Sequence, residues 1–169
     1  MNPEPIITES ADETLAIGRA LAGRLAAPVL VLLKGDLGVG KTTLVKGIIS
    51  GLGAAREEDV TSPTFTLVHV FQTPNGAAAD QKQSPKVYHV DLYRVEGQHE
   101  LESLALEDVL GSLEPGIVVV EWSERLTIRS DWPLVRVELE HLGDDKRSIH
   151  IHRAEDSAPK ESSPEDSPA

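Results

Sequence analysis

The residues with the clearest chemical purpose are Gly35-Asp36-Leu37-Gly38-Val39-Gly40-Lys41-Thr42, which satisfy the pattern G-x-x-x-x-G-K-[ST] at every fixed position. The chemistry served by this spacing is the holding of a polyphosphate. Glycines let successive backbone N–H groups converge on phosphate oxygens. Lys41 places a compact positive charge against the β- and γ-phosphates, and the Thr42 hydroxyl can ligate Mg2+. A helix starting here adds the positive end of its dipole. With Gly at roughly 7% of residues and Lys, Ser and Thr at ordinary frequencies, an accidental match in a chain of this length is rare. The competing reading is a glycine-rich strand-to-helix turn with an exposed lysine.

Nucleotide hydrolysis also needs acids for the metal and for the attacking water. Ile117-Val118-Val119-Val120-Glu121 is an apolar run ending in a carboxylate, the form of a Walker B strand, and Val87-Tyr88-His89-Val90-Asp91 has a similar shape. In an open parallel sheet both acids stand at the C-terminal edge, where ligands bind. For each alone the competing reading is an acid capping the element that follows, and the full phosphate loop nearby favours the functional one. Thr61-Ser62-Pro63-Thr64-Phe65 occupies the place of a switch segment, where a threonine such as Thr64 can contact Mg2+ or the γ-phosphate. A proline-bearing loop with hydroxyl turns fits the spacing as well. Arg94 either offsets charge in the transition state or forms a surface ion pair. His150 and His152 share a strand face and have ligating chemistry, but with no third ligand nearby an exposed strand face is the better reading. His89 is read as structural, facing away from Asp91.

These side chains need elements to position them. Ser10-Ala11-Asp12-Glu13 is a capping box for a helix predicted over about 11–26, with Pro5–Thr8 a short strand before it. Val29-Leu30-Val31-Leu32-Leu33 has no alternation, which suits a central parallel strand buried on both faces. It leads into the glycine loop and a helix from Lys41 to about Ser50. Thr66–Phe71, Val87–Val90 and Ile117–Val120 are further strands, and Glu100–Leu110 has helical spacing. Val135–Leu139 and Ile149–His152 alternate and fit an antiparallel hairpin turning at Gly143-Asp144-Asp145. The order predicts a three-layer α/β domain with a mainly parallel central sheet, a phosphate loop after a central strand, and an antiparallel C-terminal edge hairpin. Thr73–Lys86 reads as a mobile loop. Ala154–Ala169 has no apolar residue larger than alanine and reads as a disordered acidic tail. The division is therefore residues 1–153 as the folded domain and 154–169 as the tail.

Composition bounds the function. The chain has 169 residues, the length of one domain. It is 40% hydrophobic and only 4% aromatic, so the core is aliphatic. The formal charge is −12, and the last sixteen residues hold five acids against one lysine. Such a body is a poor autonomous binder of nucleic acid or anionic membrane. No apolar run is long enough to span a bilayer, and Met1–Ser10 lacks a basic stretch followed by an apolar one, so no secretory leader is expected. Cysteine is absent, which excludes disulfides, thiolate metal sites and a Cys nucleophile, and suits a cytoplasmic protein.

Four segments coincide in order and spacing: Gly35–Thr43 with Leu44, Ser62-Pro63-Thr64-Phe65-Thr66-Leu67-Val68, His89-Val90-Asp91-Leu92-Tyr93-Arg94, and Val120-Glu121-Trp122. Together they resemble the TsaE family of small bacterial P-loop ATPases, over about residues 6–152. The resemblance implies a role in forming N6-threonylcarbamoyladenosine in tRNA, with TsaD carrying out the transfer, TsaB pairing with it, and the TsaE member supplying an ATPase. It implies ATP phosphates held by Asp36, Leu37, Gly38, Val39, Gly40, Lys41, Thr42 and Thr43, and Mg2+ held by Thr42 and Glu121. Asp91 would position or activate the attacking water, or support the metal from behind. Lys41 and Thr64 would complete the catalytic set. Base contacts would fall near Ser10–Asp12 and Gly143–Lys146. The Thr73–Lys86 insertion departs from the short family loop. Two alternatives stay open: an ATP-dependent assembly switch with incidental hydrolysis, and a small-molecule P-loop kinase. A GTPase is disfavoured because the chain has no Asn-Lys-x-Asp segment.

Overall fold

The computed structural model describes residues 3–63, 68–74, 84–95, 116–125 and 131–153. The helix predicted at Glu100–Leu110 and the acidic tail lie outside these residues, as do Thr64 and most of the Thr73–Lys86 loop.

Strand β1 (Ile6–Thr8) leads into helix α1 (Ala11–Ala22), which is capped as its sequence prescribes. The Ser10 hydroxyl accepts from the Glu13 amide at 3.2 Å. The reciprocal bond goes one residue further back than the simple capping box, from the Glu9 amide to Glu13 Oε2 at 2.6 Å. The helix stops at Ala22 rather than near 26. Gly23, a poor helix former, is its C-cap, and Pro28 disfavours helical backbone in the residue before it.

Strand β2 (Val29–Lys34) passes through the glycine loop into α2 (Lys41–Gly51). Strand β3 (Val68–Gln72) and β4 (Lys86–Asp91) form an antiparallel pair. The pair is closed at the base of its connection by Gln72 Nε2 to Ser84 O (2.9 Å) and Thr73 Oγ1 to Pro85 O (2.7 Å). Strand β5 (Gly116–Glu121) follows, then the hairpin β6 (Leu134–Gly143) and β7 (Lys146–Arg153), which is longer than the alternating pattern alone suggested.

All seven strands form one sheet in the order β1-β7-β6-β2-β5-β4-β3. The centre, β6-β2-β5-β4, is parallel, and both flanks are antiparallel. The hairpin carries the sheet outward on one side, with β1 laid beyond it. Every residue of β5 is buried, as expected of a strand flanked by parallel neighbours with both faces covered. One face packs Val31, Leu33, Val119 and Val137 against α1 and α2; the other gathers Leu30, Val90, Val118 and Val120 with Trp132 and Leu134.

The helix bearing the glycine loop is anchored mainly by packing. Leu44, Val45, Ile48 and Ile49 are all fully buried, each contributing about 1.5–3 kcal/mol of transfer free energy. Helices α1 and α2 meet at backbone contact. A Cβ on Gly18 would overlap Leu44 O and lie 2.9 Å from the Gly47 Cα; one on Gly51 would lie 2.7 Å from Ala22 Cβ. Among the described residues no helix is long and apolar enough to cross a membrane.

Candidate functional site

The glycine loop takes the shape its residue types permit. Gly38 and Gly40 have φ of 75° and 106°, conformations that L side chains rarely adopt. Gly40 is the N-cap of α2 and offers no side chain to its free N–H groups, and the first turn carries no acid. Helix α1 has both a side-chain cap and two acids in its first turn. The α2 N-terminus is thus left open to an anion. Lys41 is 4% exposed. Its Nζ donates to Gly35 O at 2.5 Å and Asp36 O at 2.8 Å, and stands 3.9 Å over the Trp122 ring. Burial pushes the Lys41 ammonium below its ordinary value, against the pull of Glu121, Glu124, Asp91 and Asp36.

The acids arrive by sheet register. Asp91 and Glu121 are paired residues at the C-terminal ends of parallel β4 and β5. The Leu92 amide continues that ladder to Glu121 O at 3.2 Å. Both acids are buried. The Thr42 hydroxyl donates to Glu121 Oε1 at 2.7 Å. Asp91 Oδ2 accepts from the Ser62 hydroxyl, and its Oδ1 accepts from the Tyr93 amide at 2.9 Å. Lys41, Thr42, Asp91, Glu121, Leu37 and Trp122 together line a cleft of about 420 Å³. A hydroxyl and a carboxylate side by side form a donor set of hard oxygens, which suits Mg2+.

Several residues make contacts that the sequence reading did not assign them. Trp122, although within a quoted motif, had no assigned role. It has φ of 60°, unusual for a bulky residue, and its ring lies 5.1 Å from that of Tyr93. Ser62 ties the start of the switch segment to Asp91, while Thr64 lies outside the described residues. His89 requires a correction: it does not face away from the acids. Its Nε2 lies 2.6 Å from Glu121 Oε2. Strand side chains alternate, so residues two apart share a face; that rule was the available signal. Arg147 was also missed. Its Nε donates to Val39 O at 2.8 Å, bracing the loop from β7.

Other candidates stand apart. Arg94 is exposed and is not among the residues lining the cleft. His150 and His152 stack at 6.1 Å on β7, and no group of three ligating side chains exists among the described residues. The two segments expected to carry base contacts do lie side by side, because β1 pairs with β7 with Thr8 opposite Arg147, and Lys146 Nζ is 3.7 Å from Glu9 Oε1.

Residues 8–150 match the family model described as threonylcarbamoyl adenosine biosynthesis protein TsaE. A tRNA threonylcarbamoyladenosine biosynthesis protein TsaE from Rickettsia bellii is 36% identical over 145 residues, which is 86% of this chain and 92% of that one. Its counterpart from Aquifex aeolicus is 34% identical, over 88% of this chain and 95% of the relative. Among solved structures, the crystal structure of Bacillus subtilis YdiB superposes with a TM-score of 0.63 at 28% identity, covering 89% of this chain and 86% of the other.

Proposed function

The chain belongs to the TsaE family of threonylcarbamoyl adenosine biosynthesis proteins, and from that premise we propose that it is a Mg2+-dependent ATPase required for forming N6-threonylcarbamoyladenosine in tRNA. It acts in the cytoplasm beside TsaD- and TsaB-like proteins. The observation that carries the reading is the contact of Thr42 with Glu121 in the first turn of a helix that has no side-chain cap and begins at Lys41.

In this reading the loop amides from Asp36 to Thr43 bind the ATP phosphates. Lys41 leaves the carbonyls of Gly35 and Asp36 to meet the β- and γ-phosphate oxygens. Thr42 and Glu121 hold Mg2+, which when bound offsets the charge that develops on those oxygens. Asp91, fixed by Ser62 and the Tyr93 amide, orients the attacking water and accepts its proton. Thr64 completes the set from the switch segment. The bond broken joins the γ-phosphorus to the β–γ bridging oxygen, and the products are ADP and phosphate. The acidic chain meets nucleotide and proteins, while its partners hold the RNA.

The decisive experiment is reconstitution of tRNA threonylcarbamoylation with and without this protein under multiple-turnover conditions. Modification that proceeds equally well in its absence would defeat the reading. The Ser62–Asp91 bond favours a second version, in which ATP chiefly switches the assembly state, because it joins the switch segment to the hydrolytic acid. Repeated modification with a non-hydrolysable ATP analogue would select that version.

A further inference from the structure

His89 is a buried polar group that the mechanism above leaves idle. It is 0% exposed, in the interior of β4, next to the buried Val90 and on the same strand face as the buried Val87. Its Nε2 is 2.6 Å from Glu121 Oε2, while Glu121 Oε1 takes the Thr42 hydroxyl. A carboxylate only accepts, so this contact requires the proton to sit on Nε2 and His89 to be the donor. Each oxygen of Glu121 is then held by a different donor, and the carboxylate cannot turn about its terminal bond without losing both.

The other ring nitrogen, Nδ1, is buried with no hydrogen-bond partner. His69, opposite on β3, offers only a ring contact at 6.4 Å. A buried nitrogen without a partner is a cost that packing alone does not require, since an aliphatic side chain would fill the interior of β4 as its neighbours do. What the imidazole supplies, and an aliphatic residue does not, is the hydrogen bond to Glu121.

We propose that His89 is a positioning residue that locks the Glu121 carboxylate in the orientation needed to hold a divalent cation beside Thr42. This rests on the reading of Thr42 and Glu121 as the Mg2+ pair. Partners of this kind typically govern tenfold to hundredfold of metal affinity.

The test uses the full chain, with Mn2+ as the probe. Mn2+ affinity in saturating ADP is followed by the loss of the free-ion spin-resonance signal, and ADP affinity is measured separately in chelator by calorimetry. In His89→Leu and His89→Asn, whose shorter amide stops short of Glu121, Mn2+ should bind about tenfold to hundredfold more weakly, with metal-free ADP affinity held within about twofold. His89→Gln places an amide nitrogen near the position of Nε2 and should recover most of the loss. Unchanged Mn2+ affinity in both weakened variants would overturn the proposal. So would an equal loss in all three variants, or a parallel loss of metal-free ADP binding. Should His89→Leu fail to fold, the contrast between Asn and Gln decides alone. A parent chain without ADP-dependent Mn2+ binding removes the cation reading and this inference with it. A parent that binds, with variants that do not differ from it, removes only the inference.

Discussion

Lys41, Asp91 and Glu121 line one cleft, and the proposed function gives them different tasks, so their removal should have separable effects. In that proposal Lys41 is the positive charge that meets phosphate, and a hydrogen bond to a charged group is worth about 1.5–3 kcal/mol. Lys41→Ala should therefore weaken ATP binding by roughly tenfold or more and stop turnover, as read by calorimetry and phosphate release. Full ATPase activity in that variant would sink the assignment. Asp91→Asn should behave differently, lowering hydrolysis by roughly 10²–10⁴-fold as expected for loss of a general base, with nucleotide affinity little changed. Glu121→Gln should spare metal-free ADP binding and reduce its strengthening by Mg2+. Equal and complete loss of binding in both acid variants would show that these residues maintain the cleft and have no chemical role. The glycine turn and the helix after it were legible in the sequence because the pattern that prescribes them is contiguous. Contacts between distant segments were not legible from spacing, and only the family resemblance set Thr42 beside Glu121. Thr42 and Glu121 are 79 positions apart, and Val39 and Arg147 are 108 apart. Strand order decides such meetings, and the spacing of motifs does not carry it.

At the scale of elements, the least ordinary contact is the one between α1 and α2. Gly47 faces Leu15 O and Gly18 with no space for a methyl group. Two effects oppose each other in Gly47→Ala. Helix propensity favours Ala by about 1 kcal/mol, whereas forcing a methyl between packed backbones costs typically 1–3 kcal/mol and occasionally more. The overlap here is with backbone, which cannot swing aside, so overpacking should win. Thermal unfolding should show Gly47→Ala several degrees less stable than the parent; a rise in Tm would mean the helices separate easily. The strands were readable from apolar runs, and β5 in particular from its lack of alternation. The end of α1 was less so. Leu25 continues the helical spacing past Ala22, but Gly23 and the approach to Pro28 outweigh that one apolar position. The hairpin turn fell where Gly143 and Asp144 place it, both with positive φ.

For the whole molecule, charge is the governing quantity. Of the −12 total, a disproportionate part lies in residues 154–169, beyond the matched 8–150. Interactions between solvent-exposed charges are largely screened beyond about 8–10 Å at physiological ionic strength. Truncation after Arg153 should leave ATP affinity within about twofold of the full chain at physiological salt. A large loss, measured by calorimetry, would show that the tail reaches the nucleotide.

The pairing of β1 with β7 has a consequence in time. It joins Ile6 to Ile149, so this flank of the sheet pairs residues made before the glycine loop with residues made long after it. A ribosome delivering roughly 5–20 residues per second completes the glycine loop on the order of ten seconds before Arg147 emerges to brace it. Until then the nascent chain has the glycine loop without its brace from β7. A nucleotide bound as proposed would therefore act on the finished domain, stabilising it, and would be poorly placed to guide the early stages of its folding.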